Sequence, residues 1–356
     1  MAKIDQNITS ILSVQDKTQA VVRVRSYGEI NRIKRDVKIV RYYPFINSIG
    51  VECDMSSVKA LSRHHGVECV SAVMRVSALA LYNHDVRNGD LVPILAKSDL
   101  TGAGVALAVI DTGVDVHTDL CVPRNRIRHF VDFVGGEQNP YDDNGHGTFV
   151  TGVAIGNGVC GGKVCVGVAP EADVVGIKTI GASGESSTFR ILDGMQWLFD
   201  NCDKFGIKVA CMSFGAEPTE VADPLKMGAE MLVRRGITVV CAVGNNGQNN
   251  LKSPAISSEV ISVGAVDDDG EVAKFSSYGV YHGVPRPDVY AKGVKVKGIE
   301  GGGTYSYMSG TSVSAPAVAG ACCLLHQKYK NLTPYQAKRL VLAMSRQKGA
   351  IRILDL

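Results

Sequence analysis

The sequence predicts a two-part α/β fold, a mostly parallel, doubly wound sheet preceded by a small α+β unit. Near-continuous apolar runs recur through the second part of the chain, and helical patterns separate most of them. The N-terminal part has another rhythm, with short strand and helix patterns alternating. A length of 356 residues exceeds one ordinary single-core domain and leaves room for two, one of them large.

Residues 1–17 read as an N-terminal extension. Across 18–79, residues 20–25 and 37–43 read as strands, with a short helix over 29–35 between them. A third strand covers 46–53, a helix with Val58 and Leu61 on one face covers 56–65, and a fourth strand covers 67–76. Strand, helix, strand, strand, helix, strand is the ferredoxin-like order, which by itself serves many functions. Residues 83–100 carry Gly89, Pro93 and several Asp and Asn without clear periodicity, so 80–94 is taken as a linker and 95–356 as the second domain.

In that second domain the apolar runs are 105–110, 174–177, 209–212, 238–243 and 260–263, and the clearest helical patterns are 188–202 and 225–235. Buried runs alternating with amphipathic helices indicate a parallel sheet covered on both faces. Ligands of such sheets bind outside the carboxyl ends of the strands.

A formal net charge of +3, with Lys and Arg scattered, gives no electrostatic reason to expect nucleic acid or an anionic membrane as partner. No run is apolar and long enough to span a bilayer, and residues 1–7 lack the pattern of a secretory signal, so a cytoplasmic location is expected. Ten cysteines in such a chain are expected to be buried small hydrophobes, as Cys211, Cys241, Cys322 and Cys323 in apolar runs suggest. Cys160 and Cys165 are close enough in sequence for a loop disulfide or half a metal site, but no second pair completes a tetrahedral set.

Three segments carry candidate chemistry. Residues 106–113 (ALAVIDTG) are a buried strand delivering Asp111 at its carboxyl end. Residues 142–152 (DDNGHGTFVTG) set His146 at a helix start, flanked by glycines where other backbone must come close. Residues 309–316 (SGTSVSAP) set Ser312 just before a helix, with Pro316 expected in its first turn. Taken singly, each has a structural explanation: a turn, a capping histidine, an N-cap. A nucleotide-binding α/β protein is excluded because no Gly-rich phosphate loop follows the first strand of the sheet.

Together these segments resemble the subtilisin-like serine proteases, in which Asp, His and Ser occur in this chain order. The resemblance covers roughly residues 95–345 and implies a serine endopeptidase. A serine hydroxyl is a poor nucleophile at neutral pH, so Ser312 needs His146 to take its proton, and Asp111 to fix the imidazole tautomer. Residues 240–247 (VCAVGNNG) resemble the family's oxyanion segment, which implies donors from the Asn245 side chain and the Ser312 backbone N–H. A different-class alternative is a catalytically silent pseudoprotease that keeps the fold to bind peptides.

The resemblance further implies that a polypeptide substrate lies as an added strand between two rims, Ser213, Phe214 and Gly215 on one side and Ala182, Ser183 and Gly184 on the other. Lys252 precedes Ser253-Pro254-Ala255 where the family usually has a small residue at the floor of the S1 pocket, and is expected to favour an acidic or polar P1 side chain, the alternative being a solvated loop lysine. Ala317 stands at the position of a histidine common in the family. No cofactor is expected to be required: residues 156–165 lack the insertion that holds tight calcium in secreted relatives, which leaves only weak calcium binding open.

Finally, it implies that residues 18–79 are a prodomain, the catalytic domain's own folding partner and inhibitor. The family's spacing from Asp111 puts the processing site near Leu79, within 77–90. A cut after Leu79 conflicts with an acid-seeking Lys252, whereas a cut after Asp85 or Asp90 agrees with it.

Overall fold

The computed structural model describes residues 2–82 and 99–356. Asp85, Asp90 and most of the linker lie outside the described residues.

The first unit is a five-stranded sheet in the order Lys3–Ile4, Val67–Ala72, Thr18–Val24, Ser48–Cys53, Lys38–Tyr43. Its last four strands have the ferredoxin-like arrangement, with Ile30–Ile33 and Met55–Arg63 as the helices. The extension assigned to 1–17 is part of this unit rather than outside it. Lys3–Ile4 pairs parallel with Val67–Ala72, and the helix Gln6–Leu12 buries Ile8 and Leu12 in the same core. The Asp5 carboxylate ties the two together, accepting from the N–H groups of Asn7 at 3.0 Å and Ala72 at 3.2 Å. A two-residue strand is too short to leave a period in the sequence.

Alternation along Thr18–Val24 assigns its two faces. Ala20, Val22 and Val24 enter the unit's own core, while Val21 joins Tyr43, Phe45 and Ile46 against the helices of the second unit. Tyr43 is fully buried and donates to the Phe189 carbonyl at 3.0 Å, and Arg41 pairs with Asp193. Burial of an aromatic side chain of this kind contributes about 1.5–3 kcal/mol. Gly50 permits the approach, since a β-carbon there would sit 2.8 Å from the Phe189 ring.

The second unit is built on a nine-stranded sheet ordered Arg346–Lys348, Ile351–Ile353, Val289–Lys292, Ile261–Val266, Thr238–Ala242, Ile207–Met212, Ala106–Asp111, Asp173–Lys178, Ile127–Asp132. Neighbours are parallel except for the C-terminal hairpin. Ala106, Ala108 and Ile110 face the helices Thr188–Phe205 and Pro224–Arg234; Leu107 and Val109 face His146–Ile155 and Thr311–Lys328. Both faces are therefore covered, which is why the strands read as unbroken apolar runs. No helix among the described residues is long and apolar enough to cross a membrane.

The strand expected over 67–76 breaks after Ala72. Met74 is held by Thr188, whose hydroxyl accepts from Met74 N–H at 2.9 Å and whose N–H donates to Met74 O at 3.0 Å. The chain is thereby turned out of the first sheet and continues as the strand Arg75–Ala78 across the carboxyl edge of the second.

Candidate active site

Asp111 ends the strand Ala106–Asp111 and is fully buried. His146 opens the helix His146–Ile155, whose ten residues are all buried. Asp142 caps that helix: one carboxylate oxygen accepts from Gly145 N–H at 2.9 Å, the other from Thr148 N–H at 2.8 Å and its hydroxyl at 2.7 Å. Gly147 lets the helix start meet the turn after Asp111, because a β-carbon there would lie 2.2 Å from the Gly113 carbonyl.

His146 Nδ1 and Asp111 Oδ1 are 2.6 Å apart. An ionised carboxylate can only accept, so Nδ1 carries the proton and Nε2 is left with a lone pair. Burial opposes the imidazolium, but the charge and hydrogen bond of Asp111, with Asp142 behind it, together raise the His146 pKa above its ordinary 6.5. His146 Nε2 and Ser312 Oγ are both buried and have no hydrogen-bond partner among the described residues.

Ser312 is the second residue of the helix Thr311–Lys328, and Gly310 precedes it at φ +151°. A β-carbon on Gly310 would lie 2.5 Å from the Leu79 carbonyl oxygen and 3.1 Å from both Asn245 Nδ2 and Ser312 Oγ, so those three atoms converge on one point. Asn245 Nδ2 donates to Leu79 O at 2.7 Å. The amide is aimed by Thr311, whose N–H and hydroxyl each donate to Asn245 Oδ1 at 2.9 Å. Pro316 lies a turn deeper in the helix than the first turn expected of it. It has no N–H for the Ser312 carbonyl four residues back, and Ser213 Oγ donates to that carbonyl instead, at 2.9 Å.

The strand Arg75–Ala78 lies between the two predicted rims. It pairs antiparallel with Phe214–Gly215 on one side and Glu185–Ser187 on the other. Ala78 N–H donates to Gly184 O at 3.0 Å, and Leu79 N–H to Ser213 O at 3.1 Å. Ala182 holds the second rim by accepting from the Asn144 side chain at 2.9 Å, with Ser183 in the same turn. Beyond Leu79 the chain remains in register, Leu81–Tyr82 pairing with the strand Thr304–Ser309.

Lys252 lies beside Leu79, but not as the free cation expected. Its ammonium is paired with Glu217, and its Cβ and Cγ lie at Gly215 next to Leu79 Cδ1. Lys178 was not picked out in the sequence. It ends the strand Asp173–Lys178 after the apolar run 174–177, opposite Asp111, is fully buried, and donates from Nζ to Thr112 O, to Ile180 O at 3.1 Å and to Asp143 at 2.6 Å. It thus ties the turn after Asp111 to the segment before His146. A lysine closing an apolar run was the available signal.

Cys160 and Cys165 are free thiols, one exposed and one buried, so the disulfide alternative does not hold. Among the described residues no three His, Cys, Asp or Glu side chains gather as a metal site. Ala317 packs beside Phe149, Val153 and Met308.

A carboxylate, an imidazole and a hydroxyl at the carboxyl edge of a parallel sheet, beside an amide donor, are the group types of a serine peptidase. Residues 102–353 match the subtilase family model, and the chain belongs to that family, as a subtilisin-like serine protease. It is 36% identical to serine protease AprX of Bacillus subtilis over 88% of this chain and 77% of that one, a likeness that reaches into the N-terminal unit. It is 39% identical to subtilisin Savinase of Lederbergia lenta over 66% of this chain and 81% of that one. Among solved structures, a cold-adapted subtilisin-like serine proteinase aligns with TM-score 0.64 at 27% identity, covering 76% of this chain and 95% of that one. Fervidolysin from Fervidobacterium pennivorans aligns over 97% of this chain and 59% of its own with TM-score 0.75; at 22% identity that likeness speaks to fold alone.

Proposed function

We propose that the chain is the zymogen of a serine endopeptidase, that Asp111, His146 and Ser312 are its triad, and that its first substrate is its own Leu79–Ala80 bond. The observation that carries this is the hydrogen bond from Asn245 Nδ2 to the Leu79 carbonyl oxygen, at the point where Ser312 Oγ also converges.

The chemistry follows from the groups. Ser312 Oγ attacks the Leu79 carbonyl carbon as its proton passes to His146 Nε2, and the carbonyl π electrons move onto the oxygen. That oxyanion is held by Asn245 and by the Ser312 backbone N–H, one of the first-turn amides that have no partner within their helix. Collapse breaks the bond to Ala80 nitrogen, which takes the proton from His146, and leaves Leu79 esterified to Ser312. Water then attacks the ester carbon as His146 Nε2 takes its proton; the bond to Ser312 Oγ breaks, that oxygen takes the proton back from His146, and Leu79 leaves as the acid. Asp111 stays ionised throughout, holding the imidazole and stabilising its charged form.

On this reading the residues up to Leu79 are an inhibitor in place, since their last strand occupies both rims as a substrate strand would. The partners are polypeptide substrates and the chain's own prodomain. Purified full-length chain is expected to cut itself so that the large fragment begins at Ala80 and takes up a fluorophosphonate at Ser312. The variant Ser312→Ala is expected to stay full-length and unlabelled. Equal processing of that variant would assign the cut to another protease, and an unlabelled wild type would indicate a peptide-binding pseudoprotease.

A further inference from the structure

The pocket that receives the Leu79 side chain has two walls, residues 215–217 and 251–253, locked by paired backbone bonds. Ala216 N–H donates to Ser253 O at 3.1 Å and Ser253 N–H to Ala216 O at 2.9 Å. Two glycines keep the space open. At the β-carbon position of Gly215, Lys252 Cβ would be 2.6 Å away, Lys252 Cγ 3.1 Å and Leu79 Cδ1 3.2 Å; at that of Gly244, Lys252 Cγ would be 2.9 Å away. The lysine stem therefore runs along the pocket next to Leu79, and its side chain is only 10% exposed. A cation so shielded from water requires a counter-charge. Glu217, on the opposite wall and 64% exposed, supplies it.

We infer that Glu217 is the specificity-determining residue of this pocket: by holding the Lys252 ammonium it leaves a neutral cavity lined by methylenes, which accepts leucine-like side chains and refuses acidic ones. This deepens the peptidase reading and rests on it. An incoming carboxylate would have to displace Glu217, which is fixed at a permanently high local concentration, and would leave one of the two anions without a partner. Leucine needs only the stem. The chain's own Leu79 is the occupant such a pocket favours, and this removes the conflict between a cut at Leu79 and a lysine in the pocket.

The test is the ratio of kcat/KM for matched peptides with Glu or Leu at the attacked position, measured on self-processed enzyme whose active sites are counted with fluorophosphonate. Glu217 is exposed, so Glu217→Gln is expected to leave the fold and the labelling intact while freeing the ammonium. The ratio of Glu to Leu is expected to rise about 10- to 100-fold, the range of a charge-assisted hydrogen bond. Adding Lys252→Met to that variant is expected to return it to the wild-type value. A ratio unchanged in Glu217→Gln, with Leu peptides still cleaved, overturns the inference and leaves the peptidase reading standing. A gain that survives Lys252→Met overturns it as well, because the new preference would not come from the lysine. A wild type that neither labels nor cleaves fails at the earlier step, and both readings fall.

Discussion

Ser213 Oγ donates to the carbonyl of Ser312 at 2.9 Å, across 99 residues of chain. Pro316 makes that bond necessary, having no N–H to give the carbonyl four residues before it. One hydroxyl thus links the segment leading into Phe214–Gly215 to the first turn of the helix that carries Ser312.

This relationship sets the first prediction. In a Ser312→Ala background, which keeps the chain in one piece, Ser213→Ala is expected to lower stability by about 1–3 kcal/mol, the cost of a buried acceptor left without a donor. Pro316→Ala restores an N–H to the helix, so the same Ser213→Ala change is expected to cost less in that context. Urea unfolding of the four combinations measures the coupling; equal costs in both contexts would show that the proline and the serine hydroxyl act independently.

Asn245→Ala is expected to reduce kcat about 10²- to 10³-fold with little change in KM, because the lost donor matters most when charge develops on the substrate oxygen. Thr311 touches no substrate atom and acts by aiming the amide through Asn245 Oδ1. Thr311→Val is expected to lose about fivefold to tenfold in kcat, the worth of one ordinary hydrogen bond, and Thr311→Ser to recover it. A change in KM with kcat untouched would contradict the positioning role.

On the proposed mechanism, the upward shift of the His146 pKa predicts opposite dependences of activity and stability on pH. Attack by Ser312 needs the neutral imidazole, so kcat/KM is expected to rise with pH through a midpoint above the ordinary histidine value of 6.5. The folded chain binds the imidazolium better than the unfolded chain does. The stabilisation from His146 is therefore fully present below the unfolded pKa and is lost as pH rises through the folded one. A pH–rate profile on processed enzyme checks the first statement. The pH dependence of unfolding, compared between Ser312→Ala and Ser312→Ala/His146→Gln, checks the second.

The segments around Asp111, His146, Asn245 and Ser312, the proposed catalytic set, stand out in the sequence because each is a short local pattern of glycines and small residues that close backbone packing demands. The seven strands that precede the C-terminal hairpin were legible to different degrees. Ala106–Asp111 is apolar on both faces and stands out, whereas Ile127–Asp132 lies at the sheet edge, mixes Arg128 and His129 with Phe130 and Val131, and leaves no clear run. Lys3–Ile4 is too short for periodicity to register. Pairings made only in three dimensions were not legible. Glu217 and Lys252 are 35 residues apart, and nothing in either segment announces the other, so the lysine read as a free cation. Pro316 was expected in the first turn of its helix, since the serine hydroxyl that makes a deeper position tolerable comes from a segment 99 residues away in the chain.

The run from Arg75 to Tyr82 threads its own cleft without a break, pinned on both sides of Leu79. On the zymogen reading, a molecule can shed that strand only with the machinery the strand covers. Each copy then examines its own assembly before it meets any other protein: one whose nucleophile, base or amide is misaligned keeps its muzzle on. Activity in a population would count only correctly built molecules, with no outside inspector.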